Sequence, residues 1–439
     1  MQLQRSTMLI RHLPARRKEK SISRQPAIRR APVPAALTNG STVPLRVIAS
    51  NWPLFLGMGV LMLGAGLQST LLGLRATLEE FPTLVTGIIM SCYYVGYVFG
   101  TLVAPRLLRQ VGHVRVFAAL AAIASVAILV QGCFVDPITW GAMRLLSGLC
   151  FAGIYVVAES WLNDRASRAN RGGLFAVYML VLYGGLGTAQ FLLVLSDPRT
   201  PIPFMLVSVL ISLAMVPIVI SAQQLPEHAA PRKVRLLDLY RNSPLGVVAV
   251  TVSGLVSAII FSMGPVYARL SGLSTHAVAA FMAASILAAV VTQYPVGRLS
   301  DRMDRRTVIA AVCTLAAMVA GAIVAFPEMP HAVFLIFAAL FSGFALTLYS
   351  LSVSHVNDKL EPAQMVASSS TLLLLNGSAA AIGPMLSGSL MTFFGPRAYF
   401  ATLASLTGAL AVYDLWRKSR RSPVPPSQKG PFIRAQPRA

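Results

Sequence analysis

The chain alternates between long apolar stretches and short polar segments, and twelve of the apolar stretches are long enough to cross a bilayer. A membrane-spanning helix needs about 20 residues, and eleven of the stretches carry no charged side chain through their middle. Because backbone polar groups in hydrocarbon must be satisfied within the segment, each stretch is predicted to be helical. The predicted spans are 47–74, 82–104, 116–135, 137–160, 174–195, 202–222, 244–268, 273–297, 307–326, 331–354, 366–392 and 397–415. This pattern predicts an all-α integral membrane protein with twelve transmembrane helices.

The longest polar segment between spans divides the chain near the middle of its helical region. It leaves six predicted spans on each side, as expected for two six-helix bundles. The predicted regions are a disordered basic tail at 1–46, bundles at 47–222 and 244–415, a linker at 223–243 and a basic tail at 416–439. Whether the first tail contacts anionic lipid or is a simple extension stays open.

The composition separates this chain from soluble proteins. Of its 439 residues, 55% are hydrophobic and only 12% are charged, whereas soluble domains carry about 25% charged residues. A net charge of +22 could indicate nucleic-acid binding. The basic residues lie in tails and short loops rather than along one helical face, so no nucleic-acid partner is expected.

The lysines and arginines of the short loops are distributed unequally between the two sides of the predicted membrane. With the N-terminus inside, 15 of them lie inside and 4 lie outside. Cytoplasmic loops carry an excess of basic residues. We therefore expect both termini to be cytoplasmic.

No residue pattern in the chain indicates a metal site, a cofactor site or catalytic chemistry. The four cysteines fall within or at the ends of apolar stretches, without the Cys-x-x-Cys or Cys/His spacing of a metal site. No cluster of His, Asp and Glu, no Gly-x-Ser-x-Gly and no nucleotide-binding loop is present in the sequence. We expect neither an enzyme nor a bound cofactor.

The polar segment between the eighth and ninth spans has the spacing Gly-x-x-x-Asp-Arg-x-x-Arg-Arg. Its residues are Gly297, Asp301, Arg302, Arg305 and Arg306. This ten-residue loop resembles the cytoplasmic signature loop of the major facilitator superfamily, a large family of twelve-helix secondary transporters. The resemblance covers about residues 47–415, and it implies the major facilitator fold of two six-helix bundles.

The resemblance implies that this loop acts in gating by holding one conformational state. Asp301 can cap a neighbouring helix or pair with an arginine, and the arginines can neutralise helix C-terminal carbonyls. Positive-inside topology alone would explain the arginines, but not the spacing. The chain departs from the family pattern in two places: Asp304 replaces the second glycine, and Arg109 holds the aspartate position of the corresponding loop in the first half.

The fourth span contains a charged residue within its apolar stretch. Arg144, Ser147, Gly148 and Cys150 are similar to the family's Arg-x-x-Gln-Gly-x-Gly motif, with serine and cysteine as the departures. A charge inside a span is a candidate functional site by default. Arg144 is predicted to line the substrate cavity; the alternative is that it reaches the outer surface. Glu159, near the end of the same span, is predicted to act in gating or proton exchange, or to form an interfacial salt bridge.

A few polar residues lie deep in other spans. Because burying them in lipid is costly, many should face a central cavity. The predicted cavity residues besides Arg144 are Gln68, Tyr93, Tyr97, Tyr178, Gln190, Tyr267 and Asn376. Because Arg144 is the one clear positive charge within the spans and the cavity walls are otherwise apolar, a lipophilic or weakly anionic small-molecule substrate is expected.

The resemblance implies a bacterial inner-membrane secondary transporter that works by alternating access. We expect proton-coupled export, with protons and membrane lipids as its other partners and a monomer as its state. The alternatives are a metabolite uptake symporter or facilitator, and a non-transporting membrane sensor with the same fold. A sensor would bind its ligand without moving it across the membrane.

Overall fold

Helices are the only regular secondary structure in the described part of the chain. The computed structural model describes residues 49–166, 171–221, 236–358, 360 and 362–419. These residues all fall in one compact unit, 43–439. The predicted tail at 1–46, most of the predicted linker and the last part of the second tail lie outside the described residues. The predicted region boundaries therefore stay predictions.

Within the described residues, twelve helical stretches are long and apolar enough to cross a membrane, which confirms the predicted number. The helices are α1 Trp52–Leu78, α2 Thr83–Val111, α3 His113–Cys133, α4 Pro137–Arg165, α5 Arg171–Leu192, α6 Ile202–Ile220, α7 Pro244–Leu270, α8 Thr275–Arg302, α9 Arg305–Ala325, α10 His331–Asn357, α11a Pro362–Ala380, α11b Gly383–Phe394 and α12 Ala398–Lys418. A short helix, Leu236–Asn242, precedes α7.

Several helices extend well beyond the predicted spans. The prediction of a ten-residue loop over 297–306 is wrong in its extent, because α8 continues to Arg302 and α9 begins at Arg305. Only two residues separate them. Charged residues mark where the chain leaves the hydrocarbon layer, but a helix satisfies its own backbone and can continue into water. The apolar pattern therefore predicts which residues span the membrane, but it does not predict where the helix ends.

Side-chain caps and prolines explain where several helices begin. The Asp136 carboxylate accepts the backbone N–H groups of Ile138 at 3.0 Å and Thr139 at 3.2 Å, ahead of Pro137 at the first position of α4. Aspartate at this position satisfies donors that have no partner within the helix. In the eleventh span, Pro384 lies at the start of α11b, just after the break in the helix.

The helices pack as two groups, α1–α6 and α7–α12. Within each group, successive spans are joined by short connections, and odd-numbered helices run in one direction while even-numbered helices return. We call the face where α1 begins and α12 ends the proximal face, and the opposite one the distal face. The second group contains an aromatic cluster near the distal face, in which Tyr267 stacks on Tyr399 with ring centroids 4.7 Å apart.

The two bundles meet through glycines in their distal halves. A Cβ atom added at Gly87 of α2 would lie 2.6 Å from the carbonyl oxygen of Pro384, and one added at Gly388 of α11b would lie 2.8 Å from that of Thr83. Such contacts require a residue without a side chain, because real Cβ atoms do not approach a carbonyl this closely. We call this contact between α2 and α11b the distal seam.

Polar contacts between the bundles lie on the same side of the membrane centre. The Ser69 hydroxyl on α1 donates to the carbonyl oxygen of Phe261 on α7 at 3.0 Å. The Ser262 and Tyr94 hydroxyls are 3.4 Å apart. These contacts, with the distal seam, lie between the distal face and the middle of the helices.

Candidate functional site

A cavity lies between the bundles on the proximal side of the distal seam. Helices α1, α2, α4 and α5 of the first bundle and α7 and α8 of the second line it. Its polar lining includes Gln68, Thr70, Tyr93, Arg144 and Gln190. The structure therefore brings together four of the predicted cavity residues, one on each of four helices.

Arg144 is the one charged residue among those that line this cavity. Its side chain is 4% exposed, and its guanidinium carbon lies 4.3 Å from the ring centroid of Tyr93. Within the described ranges, no carboxylate pairs with it and its Nε–H has no hydrogen-bond acceptor. A charged residue within a span is costly unless it faces a polar cavity or a partner. The cavity thus holds a buried cation suited to binding an anion.

The glycine of the Arg-x-x-Ser-Gly sequence explains how Arg144 reaches Tyr93. A Cβ atom added at Gly148 of α4 would collide with the carbonyl oxygen of Tyr93, and one added at Gly96 of α2 would collide with that of Leu145. The backbones of α2 and α4 are therefore in direct contact. Small residues allow such close helix packing in membranes, and here it sets the guanidinium on the tyrosine ring.

The two cavity glutamines also hold the helices of the first bundle together. Gln190 Nε2 donates to the carbonyl oxygens of Gly66 at 3.4 Å and Leu186 at 3.1 Å, while its Oε1 accepts from Thr70 at 2.8 Å. Gln68 Nε2 lies 3.4 Å from Gln131 Oε1. A buried amide leaves costly unpaired groups unless it is bonded. These bonds make Gln190 in particular a fixed part of the wall.

The remaining predicted cavity residues lie elsewhere in the bundles. Tyr97 packs beside Tyr155 with ring centroids 6.3 Å apart, and Tyr178 lies beside Phe175 at 6.2 Å. Asn376 Nδ2 donates to the carbonyl oxygen of Val250 at 3.1 Å. Tyr267 belongs to the distal aromatic cluster. None of these four is among the residues that line the described cavity, and their contact with a ligand stays a prediction.

Sequence reasoning missed several aromatic residues of the cavity wall. Phe151, Tyr155, Tyr183 and Phe261 line it beside Arg144. A signal for Tyr155 was available: it follows Arg144 by eleven residues, which is three helical turns and hence the same face.

Arg305 joins three helix ends at the proximal face. This residue is 1% exposed, and its guanidinium lies 3.3 Å from a carboxylate oxygen of Asp358 and 3.4 Å from one of Asp301. Asp358 is the capping residue at the end of α10, and sequence reasoning missed it. Asp304, the departure from the family pattern, caps α9 by accepting the N–H of Arg306 at 3.2 Å.

The other predicted gating residues occupy different surroundings. Gly297 is buried in α8, Arg302 is exposed at its end and Arg306 is buried. Glu159 is half-buried in the last two turns of α4. Their part in gating stays a prediction.

Replacing Asp358 by asparagine is expected to destabilise the protein more than the same change at Asp301. Only Asp358 is buried with Arg305, since Asp301 is 45% exposed. Removing one partner of a buried ion pair costs about 3–5 kcal/mol, whereas an exposed pair contributes about 0–1 kcal/mol. Thermal unfolding of both variants in detergent measures the difference. Equal losses would contradict the importance of Asp358.

No group of three or more His, Cys, Asp and Glu residues that could hold a metal ion occurs in the described ranges. The four cysteines are free thiols.

The sequence and the fold both match proteins of one family. Residues 54–373, and in an overlapping match 247–438, fit the Major Facilitator Superfamily. The chain is 28% identical to an uncharacterized MFS-type transporter of Enterobacter sp. (strain 638) over 376 residues, 85% of this chain and 96% of that protein. It is 29% identical to the uncharacterized MFS-type transporter YcaD of Escherichia fergusonii over 356 residues, 80% of this chain and 91% of that protein.

A solved structure shares the twelve-helix fold. A mutant of the nucleoside transporter NupG superposes with a TM-score of 0.72 at 13% identity, covering 84% of this chain and 100% of that one. At this identity the likeness concerns the fold alone. The sequence matches span both bundles, and on that basis the chain belongs to the Major Facilitator Superfamily.

Proposed function

We propose that this protein is a secondary transporter that binds a small lipophilic compound with one anionic group and exports it by alternating access, coupled to protons. The observation that carries the proposal is the buried guanidinium of Arg144, which has no carboxylate partner among the described residues of its cavity. A bound anion would supply the missing counter-charge, and intramembrane charges characteristically mark substrate pathways. The protein is proposed to carry its substrate without changing it chemically.

The rest of the cavity wall supports a compound with an apolar body. Phe151, Phe261, Met282 and Ile286 line it together with the tyrosines of α2 and α4. Arginine presents a planar fork of donors that suits carboxylate or phosphate groups. A ligand with one anionic group and an aromatic or aliphatic body would satisfy both the cation and the walls.

The arrangement of the bundles supports alternating access. The distal seam lies on the distal side of the cavity, and the hydrogen bond between Ser69 of α1 and Phe261 of α7 joins the bundles at the cavity wall. The excess of basic residues in proximal loops favours a cytoplasmic proximal face with both termini inside. The bacterial relatives support a location in the inner membrane. Under that orientation the structure corresponds to a state closed to the outside.

The lack of a carboxylate among the described cavity residues favours a second candidate, a facilitator or symporter for uptake. Proton coupling at the cavity normally needs a side chain that titrates at physiological pH, and arginine does not. Dependence of flux on an imposed pH gradient separates the two candidates.

Ligand-induced thermal stabilisation of the purified protein tests the binding proposal. The probes are aromatic and alkyl carboxylates, each paired with its neutral amide, together with lipophilic cations and sugars. A ligand at 100 times its dissociation constant stabilises the folded state by about 2.7 kcal/mol. Carboxylates are expected to stabilise more strongly than their amides. Stabilisation by sugars or cations, but not by carboxylates, would contradict the proposal.

A further inference from the structure

The first bundle contains a counterpart of the contact between Arg305 and Asp358. Arg305 is the first residue of α9 and reaches the capping residue of α10. His113 is the first residue of α3, and its Nε2 lies 3.7 Å from a carboxylate oxygen of Asp164 near the end of α4. In both bundles, the start of the third helix is thus tied to an aspartate at the end of the fourth.

The His113 ring is held in place by several contacts. Its Nε2 lies 3.0 Å from the Ser160 hydroxyl, and its ring meets that of Trp161 edge-on at 6.4 Å. The Asp164 side chain is 2% exposed, and that of His113 is 14% exposed. Gly112, with φ of +86°, forms the tight turn that directs His113 towards α4. The His113–Asp164 pair is therefore a well-supported contact between α3 and α4.

The two contacts differ in their chemistry. Arginine side chains stay protonated at physiological pH, and Arg305 has Asp301 one turn before it. His113 can gain or lose a proton near neutral pH, and the residue one turn before it is Arg109. The second bundle has a permanently charged contact, and the first has a titratable one in the same place.

We propose that His113 and Asp164 form a proton-binding site at the proximal face, where protonation fixes the start of α3 to the end of α4. An imidazolium ion beside a buried carboxylate is stabilised by it, so protonation and the contact favour each other. The ionic part of the contact is present at acid pH and is lost as the pH rises through the titration of the histidine.

Other charged groups around the site belong to the helices that meet there. α4 contributes Glu159 and Arg165 besides Asp164, with Arg165 lying over the Trp161 ring at 5.4 Å. α2 contributes Arg109 and α3 contributes Arg115. α6 also packs against α3, but its sequence from 202 to 220 contains no titratable side chain. Of these groups, the Asp164 carboxylate is the one that lies within ion-pair distance of the imidazole.

The site is connected to the cavity by a single helix. Asp164 and Arg144 lie 20 residues apart on α4, which corresponds to about 30 Å. Fixing the proximal end of α4 acts on the helix that carries the anion-binding residue. Only this role in coupling rests on the proposed transport function, since the proton-binding contact itself exists without substrate.

The thermal stability of the ligand-free, full-length protein, measured from about pH 5.5 to about pH 8.5, tests the proposal. The variants are His113→Gln, which removes the titration, and His113→Arg, which introduces the permanent charge of the other bundle. Relative to His113→Gln, the wild type is expected to gain about 1–3 °C in Tm at the acid end and nothing at the alkaline end. His113→Arg is expected to show a difference that does not vary with pH.

Titration of the other histidines cancels in these differences, because it is common to all three proteins. If the pH-dependent component of the wild type persists in His113→Arg, the proposal is wrong. If either His113 variant does not fold, Asp164→Asn is used in its place. This variant keeps His113 but lacks the carboxylate, so the gain in Tm at acid pH is expected to disappear. Its persistence in Asp164→Asn would also overturn the proposal. Neither result depends on ligand, so the outcome is separate from that of the transport proposal.

Discussion

Replacing Arg144 by glutamine is expected to weaken the binding of carboxylate ligands by about 10- to 150-fold. Hydrogen bonds to a charged group contribute about 1.5–3 kcal/mol, and 1.4 kcal/mol corresponds to a factor of ten. The loss should be confined to anions, because the apolar wall of the cavity is unchanged. The affinity of the neutral amide of the same ligand is therefore expected to change by less than about threefold.

Two further variants separate charge from geometry in this prediction. Arg144→Lys keeps the charge but loses the planar fork and the stacking on Tyr93, so an intermediate affinity is expected. Ser147→Ala is the matched control, because Ser147 is fully buried on the same helix and is not among the residues that line the cavity. Isothermal titration of each variant with one carboxylate and its amide gives the comparison. An unchanged preference for the carboxylate in Arg144→Gln would rule out the assigned role.

Replacing Gly388 by valine is expected to open the distal seam and to reduce transport more than tenfold while ligand binding survives. Even a single Cβ atom would lie 2.8 Å from the carbonyl oxygen of Thr83 and 3.1 Å from the Cα atom of Gly87. Overpacking of this kind typically costs 1–3 kcal/mol. This cost destabilises only the conformation in which the distal seam is closed. The population of that conformation relative to the one with an open seam therefore falls by about 5- to 150-fold.

A distance measurement across the distal face checks this shift. Spin labels at Glu80 and Arg397, both exposed in the distal connections of opposite bundles, are expected to be further apart in Gly388→Val than in the parent protein. Gly321→Val is the control, because a Cβ atom at Gly321 has no neighbour within 4 Å. Equal distance distributions in the two valine variants would show that the seam does not set the closed state.

The hydropathy pattern was sufficient to predict the number of spans, because transferring a polar group from water into hydrocarbon costs much free energy. The same reasoning marked Arg144, since a charge within a span has few explanations. It could not say which face of an apolar helix points inward, because lipid and bundle interior are both apolar. Tyr267 illustrates this limit: its place in an apolar span did not indicate that its ring stacks in the distal aromatic cluster.

Contacts between residues that are distant in sequence could not be predicted from the sequence either. Arg305 was identified from its motif, but its buried partner Asp358 lies 53 positions later in a segment without any motif. The counterpart between His113 and Asp164 was missed because the corresponding loop of the first half departs from the family spacing, with Arg109 at the aspartate position. Helix packing reveals a contact that occupies the same place in both bundles although its charged groups differ.

Transport into proteoliposomes tests the central claim most directly, namely that an anion bound at Arg144 is carried across the membrane. The carboxylate with the largest stabilising effect would be supplied in labelled form to vesicles containing wild-type protein, Arg144→Gln or no protein, with and without an imposed pH gradient. The account predicts uptake by the wild type that the gradient changes, with Arg144→Gln reduced towards the protein-free rate. Binding by the wild type without uptake under either condition, or equal uptake by wild type and Arg144→Gln, would contradict it.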